Sequence, residues 1–478
     1  MINNKSREYI VKKTILFERA FSMNNYDGDL KVDYGYKYEK GTIPILVSAP
    51  HSVNHWRNGK VKCADIFTGS IARMIHLLTG CHVFYKTKND NYDPNYDPIS
   101  GDGDYKNSVI DVIRKENIRI FIDLHGAAVN REFDIDLGTD GSNNLCGNDF
   151  IPDLFRVIFS RYGIHKVEEN EKFTASPQNN VSRTMATVCG IPSIQVEVNR
   201  KYREVSQNEE EFMSFMKGLY SVISILNDCE WDSDTYVFEA EKSKIHIPID
   251  KIEFSREDAE KYGFQKNDSF QVNSVFNHCG KTEFIARYKH TGNNQEFVPG
   301  KVYLTNKLYK YVFGDNEAEE KKYVLVNRKK AITLPIGIPK AGSERIMICP
   351  DLADKIDLSK NYQLYNRNDD IDYYLGKLAV TRDTTAKGKI FLNYYQRHIM
   401  NVNIPKKVIL RNDFIEYLGS DVLSEAEKDI LKRSYKDQHS YYEIVQNLIE
   451  DDDLKSIFKK LELDKIELVE VNDTGEKT

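Results

Sequence analysis

The sequence has no CxxC pair, no run of about 18 apolar residues, no apolar signal core near its start and no excess of positive charge. Each absence closes off a class of protein. Seven cysteines (Cys63, Cys81, Cys146, Cys189, Cys229, Cys279 and Cys349) are scattered singly, the pattern of free thiols in a reducing compartment. Without a long apolar run no membrane span is expected, and the opening "MINNKSREYIVKKTILFERAFS" lacks a small-residue cleavage site, so a cytoplasmic location is expected. A net charge of −6 argues against a dedicated nucleic-acid binder, which would carry a basic stripe. What is left is ordinary globular composition, 40% hydrophobic and 29% charged, over 478 residues. That length exceeds what one core usually serves, so two or three domains are expected.

Residues 1–235 are read as an α/β domain with a mainly parallel sheet flanked by helices. Strand-like "IPILVSA" is followed by "ADIFTGSIARMIHLL", whose Ile66, Phe67, Ser70, Ile71, Met74, Leu77 and Leu78 fall near one helical face, with Gly80 as C-cap. Strands "CHVFYKT", "RIFIDLH" and "SIQVEV" then alternate with helices "NSVIDVIRKENI", "DFIPDLFRVIFSRYG", "VSRTMATVCG" and "EEEFMSFMKGLYSVISILND". Such alternation builds βαβ units, whose sites gather at the carboxyl ends of the strands.

Residues 236–410 are richer in short strands and repeat a pattern that starts near 253, 302, 347 and 390: an apolar start, a polar cap, one or two helical turns, then a stop. This is read as a β-rich module of two related small barrel-like units. Residues 411–478 are read as helical with a disordered end, opening on a capping box at Ser424 and Glu427. The pattern "LSEAEKDILKRSY" looks like the opening of a helix-turn-helix, but residues 424–460 carry seven Lys/Arg against nine Asp/Glu. A reader of DNA presents positive charge to phosphate, so a packing bundle is the reading taken.

Three apparent strand ends carry polar residues that a plain turn does not need. "SAPHS" offers His51. "FIDLHGA" places Asp123 and His125 on one strand face, the histidine as a metal ligand and the aspartate beside it as an orienting partner, or else as a satisfied histidine and a capping aspartate. "IQVEVNRKYR" puts Gln195, Glu197 and Asn199 on one face, where Glu197 could act as general base or simply face water on an edge strand. His51 and His55 are four apart, but no HExxH glutamate lies between them, and Pro50 and Asn58-Gly59 argue for a loop. His55, Trp56 and Arg57 either line a pocket or cover that loop.

Taken in order, "APHS" at 49–52, the acidic helix start "ADIF", "DLHG" at 123–126 and "QVEVNRKYR" at 195–203 resemble the N-formylglutamate amidohydrolase family, within the wider zinc carboxypeptidase and aspartoacylase group. The resemblance spans about residues 40–230. It implies a hydrolase with one zinc ion per chain, held by His51 and His125, with Glu197 as general base and Arg200 holding a substrate carboxylate. The third ligand implied is Asp65, since the H-x-x-E position is occupied by Asn54. If Asp65 only caps its own helix, the metal is one ligand short. The family's substrate-contacting Arg and Asn-rich loop falls on "KTKNDNYDPNYDPISGDGD", residues 86–104, where Lys86 or Lys88 could stand in for the missing arginine and the segment could form a lid.

The expected reaction is metal-assisted hydrolysis of a C–N amide bond, with Arg57 or Arg200 stabilising the oxyanion and Arg200 or Arg203, beside Asn199, selecting a carboxylate-bearing substrate such as an N-acyl amino acid or peptide end. Two alternatives stay open. One is a zinc peptidase whose larger substrate or protein partner is held by residues 236–478. The other is a degenerate, non-catalytic scaffold.

Overall fold

The computed structural model describes residues 4–96, 104–177, 180–243, 251–265, 268–276, 284–288, 297–314, 321–329, 331–337, 346–353, 355–366, 371–381, 387–392, 396–397, 400, 422–436, 453, 456, 460 and 465–471. The chain divides into two compact units. The first comprises Met1–Ile249, Val272–Glu283 and Glu296–Asn327, the second Asp250–Gln271, Phe284–Gln295 and Arg328–Thr478.

In the first unit the elements run α1 (Asn4–Phe21), the single turn α2 (Met23–Tyr26), β1 (Tyr36–Glu39), β2 (Ile43–Ala49), the hairpin β3 (His55–Arg57) and β4 (Lys60–Lys62), α3 (Thr68–Thr79) and β5 (Cys81–Lys86). They continue through α4 (Asp104–Lys115), β6 (Ile120–Ala127), β7 (Ile135–Gly138), α5 (Phe150–Arg161), β8 (Val167–Glu169), α6 (Val181–Cys189), β9 (Ser193–Asn199), α7 (Glu209–Asp228) and β10 (Thr235–Lys242). Seven strands form one sheet in the order β1-β5-β2-β6-β9-β7-β8. Its centre, β5-β2-β6-β9, is parallel, as the alternation of strands and helices predicts, while β1 and β7 join antiparallel. The sheet is therefore mixed.

Side-chain alternation along the central strands fills both faces. Ile45, Val47, Ile120, Ile122 and Leu124 pack with buried residues of α3, α5 and α7, whereas Leu46, Phe84 and Phe121 pack with Tyr105 and Val109 of α4 and Met185 of α6. Each such apolar side chain taken from water contributes roughly 1.5–3 kcal/mol. Strand β9 is buried along its whole length, so the edge-strand reading of "SIQVEV" does not hold. Gly80 ends α3 at φ 78°, the left-handed turn expected of it. That helix starts later than its apolar pattern suggests. Residues 64–67 stay outside it, Phe67 takes φ 68°, and the carboxylate of Glu18 from α1 accepts Phe67 N–H (2.8 Å) and Ser70 Oγ–H (2.6 Å).

Further along the first unit, β14 (Lys301–Leu304) pairs parallel with β10 and leads through Thr305 into α9 (Asn306–Phe313), while β15 (Tyr323–Lys329) pairs antiparallel with β10. In the second unit, β11 (Lys251–Phe254) leads through the cap Ser255 into α8 (Arg256–Tyr262), and β17 (Met347–Ile348) leads through Cys349 into a 3-10 turn. The strand, cap and helix pattern read near 253 and 302 is present, whereas near 347 the strand runs into a 3-10 turn without a side-chain cap. Near 390, strand β21 (Ile390–Phe391) opens the fourth copy, and residues 393–395 lie outside the described residues.

The second unit also holds a seven-stranded sheet, in which β16 (Ile332–Gly337) and β18 (Asn361–Asn366) flank β22 (Lys465–Val471). The C-terminal stretch is therefore helical at Glu425–Lys436, behind the Ser424–Glu427 capping box, but not throughout. "KIELVEV" alternates charged and apolar residues only through Leu468, and its β-branched Ile466, Val469 and Val471 favour a strand. The second half of the suspected helix-turn-helix lies largely outside the described residues. Among the described residues no helix is long and apolar enough to cross a membrane, and the six described cysteines are free thiols.

Candidate metal centre and cleft

Three neighbouring parallel strands deliver the site. Ser48 of β2 is in register with Asp123 of β6, and His125 of β6 with Glu197 of β9. His51 follows β2 directly after Pro50, so His51, His125 and Glu197 collect at the carboxyl ends, where open parallel sheets place their ligands. The β3–β4 hairpin then makes an excursion and returns. Asp65 N–H donates to the His51 carbonyl at 2.8 Å, which brings the aspartate back beside the histidine.

His51 Nδ1 and His125 Nδ1 lie 3.1 Å apart, and Asp65 Oδ2 stands 3.4 Å from the first and 3.5 Å from the second. Both imidazoles are turned by carboxylates behind them: His51 Nε2 bonds Asp93 Oδ1 at 2.9 Å, and His125 Nε2 bonds Asp123 Oδ2 at 3.1 Å. When each Nε2 donates to its aspartate, two Nδ1 lone pairs and a carboxylate converge on one point, an arrangement that a cation or a shared proton satisfies. Donors about 2.0–2.2 Å from a tetrahedral ion stand about 3.3–3.5 Å from one another; the two distances from Asp65 fall in that range and the separation of the two nitrogens is slightly shorter. Asp65 also faces both histidines and does not cap α3.

Burial pushes the His51 and His125 imidazoles down, but Asp93 beside the first, and Asp123 beside the second, outweigh it and leave both pKa values raised. Burial would raise Asp65, yet the hydrogen bonds of His125 and His51 hold it below the usual carboxylate range. Burial raises Glu197 to about 7, only partly opposed by the charge of His125. Glu197 Oε1 accepts from Gln195 Nε2 at 2.9 Å, and Gln195 Oε1 accepts from Asn180 Nδ2 at 2.6 Å, a buried chain that fixes the carboxylate's orientation.

A cleft of about 400 Å³ opens over this cluster. Besides residues of the cluster it is lined by Arg57, Lys62, Tyr96, Lys172, Phe173 and Asn180. Arg57 Nε donates to Asp93 Oδ2 at 2.5 Å, and its guanidinium lies over the Tyr96 ring, 4.6 Å from the centroid. Of the two readings of this stretch, lining a pocket holds for Arg57 and His55.

The other polar candidates are used elsewhere. Arg200 pairs with Glu204 (2.7 Å) away from the cleft lining. Asn199 donates its side-chain amide to the carbonyls of Val129, Arg131 and Phe133, and accepts from Lys201 N–H. Arg203 is buried and donates to the carbonyls of Val198, Ile66 and Ala127. Each of those carbonyls lies one or two residues from Glu197, Asp65 or His125, so Arg203 locks together the three segments that carry the site. Gly126 has no side chain because a Cβ there would stand 2.4 Å from Arg203 Cζ. Lys86 is fully buried and paired with Asp90, and Lys88 Nζ donates to the Val32 and Asp33 carbonyls, so neither replaces a substrate arginine. Asn54 bonds Asp27 and Ala64 N–H and stays out of the cluster. Trp56 points to solvent.

Asp93 was not legible as a site residue. It sits in the Asn/Asp/Pro-rich stretch read as a lid, of which residues 97–103 lie outside the described residues. The only hint was its "DPN" setting among many similar residues.

No model of a known protein family matches the chain, and no curated protein matches it. Several solved structures that resemble part of it carry hydrolase names. One is an N-formylglutamate amidohydrolase from Ralstonia eutropha JMP134, 14% identical, covering 40% of this chain and 95% of that one with a TM-score of 0.29. Others are a metallo-carboxypeptidase from Pseudomonas aeruginosa (11% identical, 47% and 69% covered, TM-score 0.28) and a succinylglutamate desuccinylase from Chromobacterium violaceum (10% identical, 54% and 90% covered, TM-score 0.26).

Proposed function

We propose that the chain is a metal-dependent hydrolase, with zinc as the ion best suited to two imidazoles and one carboxylate. It cleaves the C–N amide bond of a small carboxylate-bearing molecule. The observation that carries this reading is the convergence of His51 Nδ1, His125 Nδ1 and Asp65 Oδ2 in a buried cluster beside a buried carboxyl, Glu197, whose pKa is raised to about 7. A bound zinc ion would supply an activated water and a Lewis-acid contact for the scissile carbonyl.

The chain's own residues supply the rest. Glu197, held through Oε1 by Gln195, takes a proton from the attacking water and returns it to the leaving nitrogen; a pKa near neutrality suits both transfers. Asp123 and Asp93 keep His125 and His51 in the tautomer that faces the ion. Arg57, with Lys62 and Lys172 on the cleft lining, gives a carboxylate its counter-charge, the role that Arg200 and Arg203 are not placed to fill.

A panel of N-formyl, N-acetyl and N-succinyl amino acids and short peptides tests the reading. The zinc-loaded parent should hydrolyse at least one class, and Glu197→Gln should keep its metal while losing that turnover. Undiminished turnover in the variant removes Glu197 from the mechanism.

A further inference from the structure

His55 is the buried titratable group that the proposed chemistry leaves unused. Its side chain is 5% exposed and stacks on His51, with ring centroids 3.9 Å apart. Neither ring nitrogen makes a hydrogen bond among the described residues: Nδ1 is sealed from solvent without a partner, and Nε2 stands 3.6 Å from Asp93 Oδ2, beyond bonding distance. Buried polar groups are almost always paired; Nε2, the nitrogen that faces the Asp93 carboxylate without a hydrogen bond, is the one a ligand can use. His55 also lines the cleft, so a ligand can reach it.

Asp93 faces two ways. Its Oδ1 belongs to His51, and its Oδ2 is held by the Arg57 guanidinium. His51, His55 and Asp93 together bring three buried donor groups within 4.8 Å of one another. We propose that His55 Nε2 and Asp93 Oδ2 form a second, weaker cation seat next to the first, filled when Arg57 releases Asp93. The ion takes the place of a singly charged guanidinium on Asp93 and so adds positive charge to the pocket, which keeps this seat weaker than the first. His51 need not change partners: Asp93 Oδ1 keeps its hydrogen bond, so the first centre stays oriented while the second fills. An imidazole nitrogen with one carboxylate oxygen favours a transition ion such as zinc, nickel or cobalt over calcium or magnesium, which prefer all-oxygen sets.

His55 and Arg57 both line the cleft, so the seat adjoins it. An ion there turns Arg57 away from Asp93 and leaves a second positive centre where the substrate's carboxylate is expected. Excess metal thereby alters substrate binding without removing the first ion. That consequence rests on the proposed function, whereas the seat itself does not.

Equilibrium dialysis of the full chain against zinc, from below one equivalent to large excess, separates the two seats. The parent should show one tight and one weaker class. His55→Phe, which keeps a ring on His51, should lose the weaker class and keep the tight one. Arg57→Gln, which removes the competing guanidinium, should strengthen the weaker class by about tenfold. His125→Ala should lose the tight class only, which reports on the proposed function separately. A single class in the parent, or a weaker class unchanged in both His55→Phe and Arg57→Gln, overturns the second seat.

Discussion

His51 Nδ1 lies 3.1 Å from His125 Nδ1, although 73 residues separate the two histidines in the chain and both turn their other nitrogen to an aspartate. Left without a cation between them, the two lone pairs and the Asp65 carboxylate would need a shared proton. With one, they form three legs of a tetrahedral site.

Loss of either supporting aspartate should therefore weaken metal binding without abolishing it. Asp123→Asn and Asp93→Asn are each expected to lower zinc affinity by about 10–100-fold, measured by competition with a chromophoric chelator. Parental affinity in both would mean that the histidines do not depend on these partners.

Hydrolysis should depend on pH through Glu197. The base must be ionised to accept a proton, and its pKa is raised to about 7 by burial. The rate should fall as the pH drops through about 7 and level off above it. An acid limb centred near 4.5, the ordinary glutamate value, would contradict a desolvated base.

Arg203 and Arg200 should separate clearly, though they lie three residues apart in one motif. Arg203 donates three charge-assisted hydrogen bonds in the interior, each worth about 1.5–3 kcal/mol. Arg203→Met should cost roughly 2–5 kcal/mol of stability in urea denaturation and impair metal retention. Arg200→Ala, which loses only a half-exposed pair with Glu204, should change stability by less than about 1 kcal/mol. Gly126→Ala should behave like Arg203→Met, because its Cβ meets the guanidinium.

Much of the first unit was legible because its signals are local. The central strands are short apolar runs, β9 alternates polar and apolar residues, and Gly80 and Gly190 end helices in left-handed turns. The candidate residues His51, His125 and Glu197 stood out for the same reason: they are polar side chains on or just after apolar strands. What the sequence hid is long-range. Glu18 fastening the start of α3, Asp93 reaching His51 across 42 residues and Arg203 stitching three segments leave no periodic trace. The arginines misled because a guanidinium that holds backbone carbonyls reads, in a sequence, like one waiting for a substrate. β22 was missed because its partner strands are about 100 and 130 residues away.

Metal analysis of the purified chain tests the account most directly. At a chelator concentration that strips weak sites, the parent should retain one zinc ion, and His51→Ala and His125→Ala should each retain essentially none while keeping their fold by circular dichroism. Metal content unchanged in both folded variants would contradict the centre on which the proposed chemistry rests.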